Sequence, residues 1–186
     1  MTQQKHIMFD LETLGTKPGC IVLSIGAVLF DQKGIHDEFE VHIDPVDAQR
    51  YGLTIDPSTV MWWFEQSDEA RQAITTPQKT PLDEALTRLD KAFDWKNVTN
   101  VWCNGASFDF PILNHVYAVL GRNRGPWAFW NEMDMRTIKN LVPKDKFKKL
   151  KTEPTIAHSA LADARAQAET LRALLWGKTP ALKIAA

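Results

Sequence analysis

The opening stretch of the chain constrains its architecture most: within 43 residues it holds three strand-like segments separated by only short connections. His6 to Phe9 and Cys20 to Phe30 are largely apolar with Val and Ile prominent, as expected of buried strands, and the second is long enough to be central. Gly15, Pro18 and Gly19 supply the turn between them. His36 to Ile43 then alternates, placing Phe39, Val41 and Ile43 on one face, the pattern of a half-buried strand. Short links between successive strands permit antiparallel pairing, whereas parallel pairing needs a long crossover. The reading is therefore three consecutive antiparallel strands.

Beyond Asp56-Pro57 the pattern becomes helical. Ser58 to Gln66 carries the adjacent Trp62 and Trp63, and Ser67 is placed to cap Asp68 to Ile74. Thr80 followed by Pro81 predicts another helix start, since Thr can cap and Pro at the first helical position loses no needed N–H. The stripe Leu82, Leu86, Leu89, Phe93 follows with helical spacing. Val98 to Cys103 reads as a further buried strand, and Phe110 to Leu120 as a helix closed by Gly121. In the last helix Ser159 is the expected N-cap, and Leu161, Ala164, Ala168, Leu171 and Leu175 form the apolar stripe that packs on the sheet. Gly177 is expected at C′, with Pro180 beyond. No internal repeat or low-complexity segment interrupts this order.

A length of 186 residues with 44% hydrophobic content suits one domain spanning residues 1–186 with one substantial core. The 22 Lys and Arg against 23 Asp and Glu give a net charge of −1, so any contact with nucleic acid must rest on local patches. Cys20 and Cys103 lie far apart in apolar runs, match no metal or redox spacing, and read as small core residues. The polar start and the lack of a long apolar stretch lead to the expectation of a cytoplasmic protein without a membrane span.

Three short segments carry the chemistry. In Asp10-Leu11-Glu12, on a strand or its end, residues i and i+2 point the same way, so two carboxylates converge and repel unless a cation lies between them. The apolar Ile7, Met8, Phe9 just before them points into the core. Asn104-Gly105-Ala106-Ser107-Phe108-Asp109 lies where a strand passes into a helix, putting Asp109 at or near a helix N-terminus. In His158-Ser159-Ala160-Leu161-Ala162-Asp163 the two outer residues would be turned roughly 140° apart if both were helical. With Ser159 as cap, His158 stands outside the helix and can swing toward the site that Asp163 faces. Each segment alone also has an ordinary explanation: a solvated strand end, an N-cap, a partner of the helix dipole.

Together, in order and local sequence, they resemble the three motifs of the DEDDh 3′–5′ exonuclease family of the ribonuclease H-like superfamily: Asp10 to Thr13, Asn104 to Asp109, and His158 to Asp163. Asp134-Met135-Arg136-Thr137 is similar to a segment found between the second and third motifs in related enzymes. The likeness is greatest to short phage and prophage exonucleases of the exonuclease VIII-like kind and to the RNase AS group. It implies an α/β, ribonuclease H-like fold with a mixed central sheet of about five strands, the first three antiparallel, flanked by helices. It also implies 3′–5′ release of nucleoside 5′-monophosphates from single-stranded DNA or RNA ends. The phage-like resemblance leans toward DNA, and RNA 3′-end trimming is the alternative. An endonuclease of the same superfamily and a catalytically silent binding module stand behind these.

Four carboxylates carry −4, which two Mg²⁺ ions neutralise, and Mn²⁺ is expected to substitute. The resemblance implies that Asp10 bridges both ions, Glu12 and Asp163 hold the one that activates water, Asp109 supports the other, and His158 is the general base. It also implicates Thr13 and Leu14 in the pocket for the 3′ nucleotide. Trp62 and Trp63 stand about 100° apart on a helix, so either one packs and the other meets a base, or both serve the core or a dimer contact. Phe108 beside Asp109 is a further candidate for that wall. The basic run from Lys139 to Lys151, which includes Lys148 and Lys149, is a candidate phosphate contact or a plain solvated loop. Arg136 is expected to form an ion pair within the fold. Enzymes of this size in the family are often dimers, so a homodimer is carried as an expectation.

Overall fold

In a computed structural model, residues 4–177 are described. Five strands form one sheet in the order β3-β2-β1-β4-β5: β1 (Lys5–Thr13), β2 (Val22–Phe30), β3 (Ile35–His42), β4 (Val98–Cys103) and β5 (Glu132–Asp134). β1, β2 and β3 pair antiparallel, whereas β4 joins β1 and β5 joins β4 in parallel. The sheet is mixed because two long helical crossovers return the chain to its starting edge. The helices are α1 (Pro45–Arg50), α2 (Pro57–Phe64), α3 (Asp68–Thr75), α4 (Leu82–Ala92), α5 (Asp109–Val119), α6 (Met135–Leu141), α7 (Lys144–Leu150) and α8 (Ala160–Trp176).

Alternation along β1 divides the core. Ile7, Phe9 and Leu11 face a large cluster built with Leu82, Leu86 and Leu89 of α4 and Phe110, Leu113 and Val116 of α5. Met8 faces the other way, onto Ala164, Ala168 and Leu171 of α8 together with Trp102 and Met135. Asp10 and Glu12 share Met8's parity, so both carboxylates emerge on the face that α8 covers. Gly26 makes that covering close. It pairs with Asp10 across β1 and β2, and a Cβ there would fall 2.2 Å from the Ala160 carbonyl carbon. The first turn of α8 therefore lies directly on the sheet, one strand from Asp10.

Several local expectations are corrected. Thr80 does not cap α4: it bridges to Ile43, while Asp47 of α1 accepts the Leu82 N–H at 2.8 Å. A tertiary cap has replaced the local one, and Pro81 occupies the N-cap position without a side-chain bond. Ser67 does cap α3, accepting from the Ala70 N–H, whereas Ser159 at the head of α8 makes no side-chain cap bond. Gly177 has φ −59° and is the C-cap itself, not a left-handed C′ residue, and Pro180 lies outside the described residues. The lysine run is not a loop: Lys139 lies in α6, Lys144 to Lys149 in α7, and Lys151 is the C-cap of α7. α1, β5 and α6 have no counterpart in the sequence reading because each is too short to show a period. Cys20 and Cys103 are buried free thiols. Among the described residues no helix is long and apolar enough to cross a membrane.

Candidate active site

Three elements bring the acidic residues together. β1 presents Asp10 and Glu12. The β4–α5 junction presents Asp109, which is the first residue of α5, with Phe108 in the N-cap position. α8 presents Asp163 in its first turn. His158 precedes that helix in the left-handed backbone region, at φ +60°. This unusual conformation for a non-glycine residue turns the chain back, so that the His158 N–H donates to Asp163 Oδ2 at 2.8 Å while the ring crosses to α2. Helical geometry would have separated the two side chains; the reversed backbone before the helix unites them. Ligand atoms of Glu12, His158 and Asp163 all lie within 4.8 Å of one another.

The electrostatics are those of crowded, desolvated carboxylates. Burial, then the charges of Asp163 and Asp109, push Glu12 up to about 8. Asp10 lies well above the ordinary carboxylate value through burial and the charges of Asp109, Glu12 and Asp163, opposed by a hydrogen bond from Gln167 Nε2 to its Oδ1 at 2.7 Å. Burial takes Asp109 up to about 7, although hydrogen bonds from Cys103, its own N–H and the Leu11 N–H, and the charge of Arg136, pull down. Asp163 is raised by burial against bonds from the His158 and Ser159 backbone. Protein groups alone do not satisfy this cluster. Hard oxygen donors around a shared centre fit divalent cations, whose charge would restore all four acids to the ionised form.

A cavity of about 710 Å³ opens beside the acids, walled by Thr13, Trp62, Trp63, Phe108, His158 and Arg136 among others. The tryptophans divide their tasks: Trp63 is 5% exposed and its Nε1–H donates to the Thr13 carbonyl at 2.9 Å, whereas Trp62 is 40% exposed and presents its ring to the cavity. Trp62 also meets the His158 ring edge-on, with centroids 4.9 Å apart. Thr13 is buried, its hydroxyl donating to the Gly15 carbonyl at 2.6 Å. Leu14 packs against the main core instead and does not line the cavity. Lys148 and Lys149 are exposed on the last turn of α7 and line neither this cavity nor the smaller one beside it. Among the described residues Arg136 makes no ion pair: its Nη2 donates to the Asn104 carbonyl at 2.8 Å, a close approach that the bare Gly105 permits.

Two contributors escaped the sequence reading. Gln167 lies four residues after Asp163, hence on the same helical face, a spacing that could have flagged it. Gly26 was visible as a lone glycine inside an apolar strand, the usual mark of a close backbone approach.

Comparisons with known proteins relate the chain to nucleases. A family described as the Rv2179c-like 3′-5′ exoribonuclease domain matches residues 5–175. The exodeoxyribonuclease of Enterobacteria phage T4 is 29% identical over 165 residues, covering 70% of this chain and 68% of that protein. Among solved structures, cell-death related nuclease 4 (CRN-4) superposes with a TM-score of 0.64 at 15% identity, covering 92% of this chain but spanning only 64% of that one. The nuclease domain of 3′hExo, a DEDDh family member bound to rAMP, gives a TM-score of 0.64 at 14% identity, with 95% and 94% of the two chains covered. Exonuclease X in complex with 5′ overhanging duplex DNA gives 0.57 at 16%, covering 90% and 89%. At such identities the superpositions speak for the ribonuclease H-like fold alone. With the family match running over residues 5–175 and all five motif residues at one site, the chain belongs to the Rv2179c-like 3′-5′ exoribonuclease domain family and is a hydrolytic nuclease.

Proposed function

We propose that residues 1–186 form a single exonuclease domain that hydrolyses single-stranded nucleic acid from its 3′ end and releases nucleoside 5′-monophosphates. The observation carrying this reading is the convergence of Glu12, His158 and Asp163 within 4.8 Å, beside Asp10 and Asp109, at one end of a cavity wide enough for a nucleotide. DEDDh exonucleases use divalent metal, and the donor set here fits it. Asp10, Glu12, Asp109 and Asp163 would hold two Mg²⁺, with Mn²⁺ able to replace them. When bound, these ions offset the negative charge that builds on the scissile phosphate and lower the pKa of the attacking water.

The remaining work belongs to the chain. His158 accepts the proton of the attacking water at an imidazole nitrogen, its ring held edge-on against Trp62 and Trp63. Thr13 and Phe108 wall the terminal nucleotide, and Trp62 offers a face on which its base stacks, a contact worth about 1–3 kcal/mol without strong base preference. Arg136, fixed at the cavity wall, attracts the phosphate. Lys148 and Lys149 on α7 add a salt-dependent attraction for the strand outside the site.

Two sugars are in view. The phage exodeoxyribonuclease supports DNA, in line with the resemblance in sequence, while the family's description supports trimming of RNA 3′ ends as the second reading. Incubation with end-labelled DNA and RNA of matched sequence in Mg²⁺ or Mn²⁺ tests the proposal. A ladder shortening by one nucleotide from the 3′ end, with circular single strands left intact, is expected. Internal cuts in the circle would overturn the exonuclease reading.

A further inference from the structure

Asp163 and Gln167 line the large cavity on one side and a second chamber of about 300 Å³ on the other. The chamber is closed by Asn104, by α6 and α7, and by the segment after α7. Its lining combines Phe147 with Lys139, whose ammonium lies over the Phe147 ring at 5.3 Å from the centroid. Lys151 is also there but is neutralised by Glu153 at 2.7 Å, leaving Lys139 without a carboxylate partner in the lining. Two of the lining residues carry buried acceptors without a hydrogen-bond partner among the described residues, Asn104 Oδ1 and Gln167 Oε1. The Gln167 amide has its orientation set by Asp10, because its NH₂ end must face the carboxylate and its carbonyl oxygen is left over. A buried acceptor without a donor destabilises the site, and a ligand donor would recover that loss.

A phosphodiester at the catalytic carboxylates carries a nucleoside on each side. If the terminal nucleoside fills the larger cavity, the nucleoside on the upstream side lies across Asp163 and Gln167. We propose that the chamber is the subsite for the penultimate nucleotide, and that it prefers ribose there because a 2′-hydroxyl supplies a donor to one of the two unpartnered acceptors, Asn104 Oδ1 or Gln167 Oε1. Phe147 offers a ring surface to the sugar or base, and Lys139 meets the next phosphate upstream. The preference holds whichever sugar occupies the terminal pocket. It rests on the exonuclease reading above.

The test pairs two kinds of substrate. The p-nitrophenyl ester of thymidine 5′-monophosphate has a terminal nucleotide and nothing upstream, so its hydrolysis reports the catalytic centre alone. DNA oligonucleotides with one ribonucleotide, at the penultimate or a more distant position, report the chamber. The expected result is a KM about five- to tenfold lower for penultimate ribose than for all-deoxy substrate, with no gain from ribose further upstream. The Lys139→Ala variant, altered at an exposed residue, is expected to raise KM for oligonucleotides severalfold while ester hydrolysis stays within twofold of wild type. Equal KM for ribose and deoxyribose at the penultimate position would overturn the sugar preference, and an unchanged oligonucleotide KM in Lys139→Ala would overturn the subsite. Failure of the wild-type protein to hydrolyse either the ester or the oligonucleotides would instead strike at the exonuclease reading itself.

Discussion

His158 shows how much a single backbone angle decides. At φ +60° its N–H reaches the Asp163 carboxylate while its ring sits against Trp62, so the residues proposed as general base and metal ligand are held to one another. Removing the imidazole leaves that backbone bond in place. His158→Ala is therefore expected to bind two Mg²⁺ with near-normal affinity in calorimetry while kcat falls about 10²- to 10⁴-fold. Asp163→Asn is expected to behave in the opposite way, losing activity mainly through weakened metal binding. Normal two-ion binding in that variant would remove Asp163 from the ligand set, and normal turnover in His158→Ala would remove the base assignment. All five motif residues were legible from local sequence because each motif is contiguous. Gln167 was not: its i+4 spacing puts it on the face of Asp163, but that spacing does not say that its amide meets a carboxylate on a strand 157 residues away.

Between elements, the contact that matters most is α8 against β2. The missing side chain at Gly26 lets the Ala160 peptide rest on the strand, and the position of α8 then sets how far Asp163 and Gln167 stand from Asp10. Gly26→Ala places a methyl carbon where backbone atoms already lie at 2.2–2.4 Å, so the helix must move. The expected outcome is a destabilisation of about 1–3 kcal/mol in denaturant melts and a loss of kcat well beyond it at temperatures where the variant stays folded. Wild-type turnover in Gly26→Ala would mean that the helix position is not set there. The cap of α4 makes the complementary point. Thr80-Pro81 looked like a self-contained start signal, yet Asp47 from α1 supplies the bond, and no local rule reveals a partner 35 residues away.

For the molecule as a whole, the acidic cluster couples metal, protons and stability. Glu12 at about 8 and Asp109 at about 7 are both raised above their ordinary values, so each favours the folded state most when protonated. In metal-free protein that contribution is intact below about pH 4–5 and is lost as pH rises through 7 to 8. Divalent cations replace the protons: binding near pH 7 is expected to release protons and to tighten as pH rises toward 8. Melts with EDTA or Mg²⁺ across pH 5.5–8.5, and calorimetry in buffers of different ionisation enthalpy, measure both effects. A metal-dependent gain in Tm that does not grow with pH would contradict the linkage.

What the sequence by itself determined was whatever is local or periodic: three opening strands, the principal helices, and the five residues of the motifs, since alternation, 3.6-residue stripes and short spacings are properties of neighbouring residues. Only the tertiary structure decided which tryptophan is buried, where Leu14 and the lysines of α7 point, how Arg136 is held, and that Asp163 and Gln167 stand between two chambers. These depend on how α2, α7 and α8 pack over the edge and face of the sheet, a matter of contacts between residues far apart in the chain that no local period encodes.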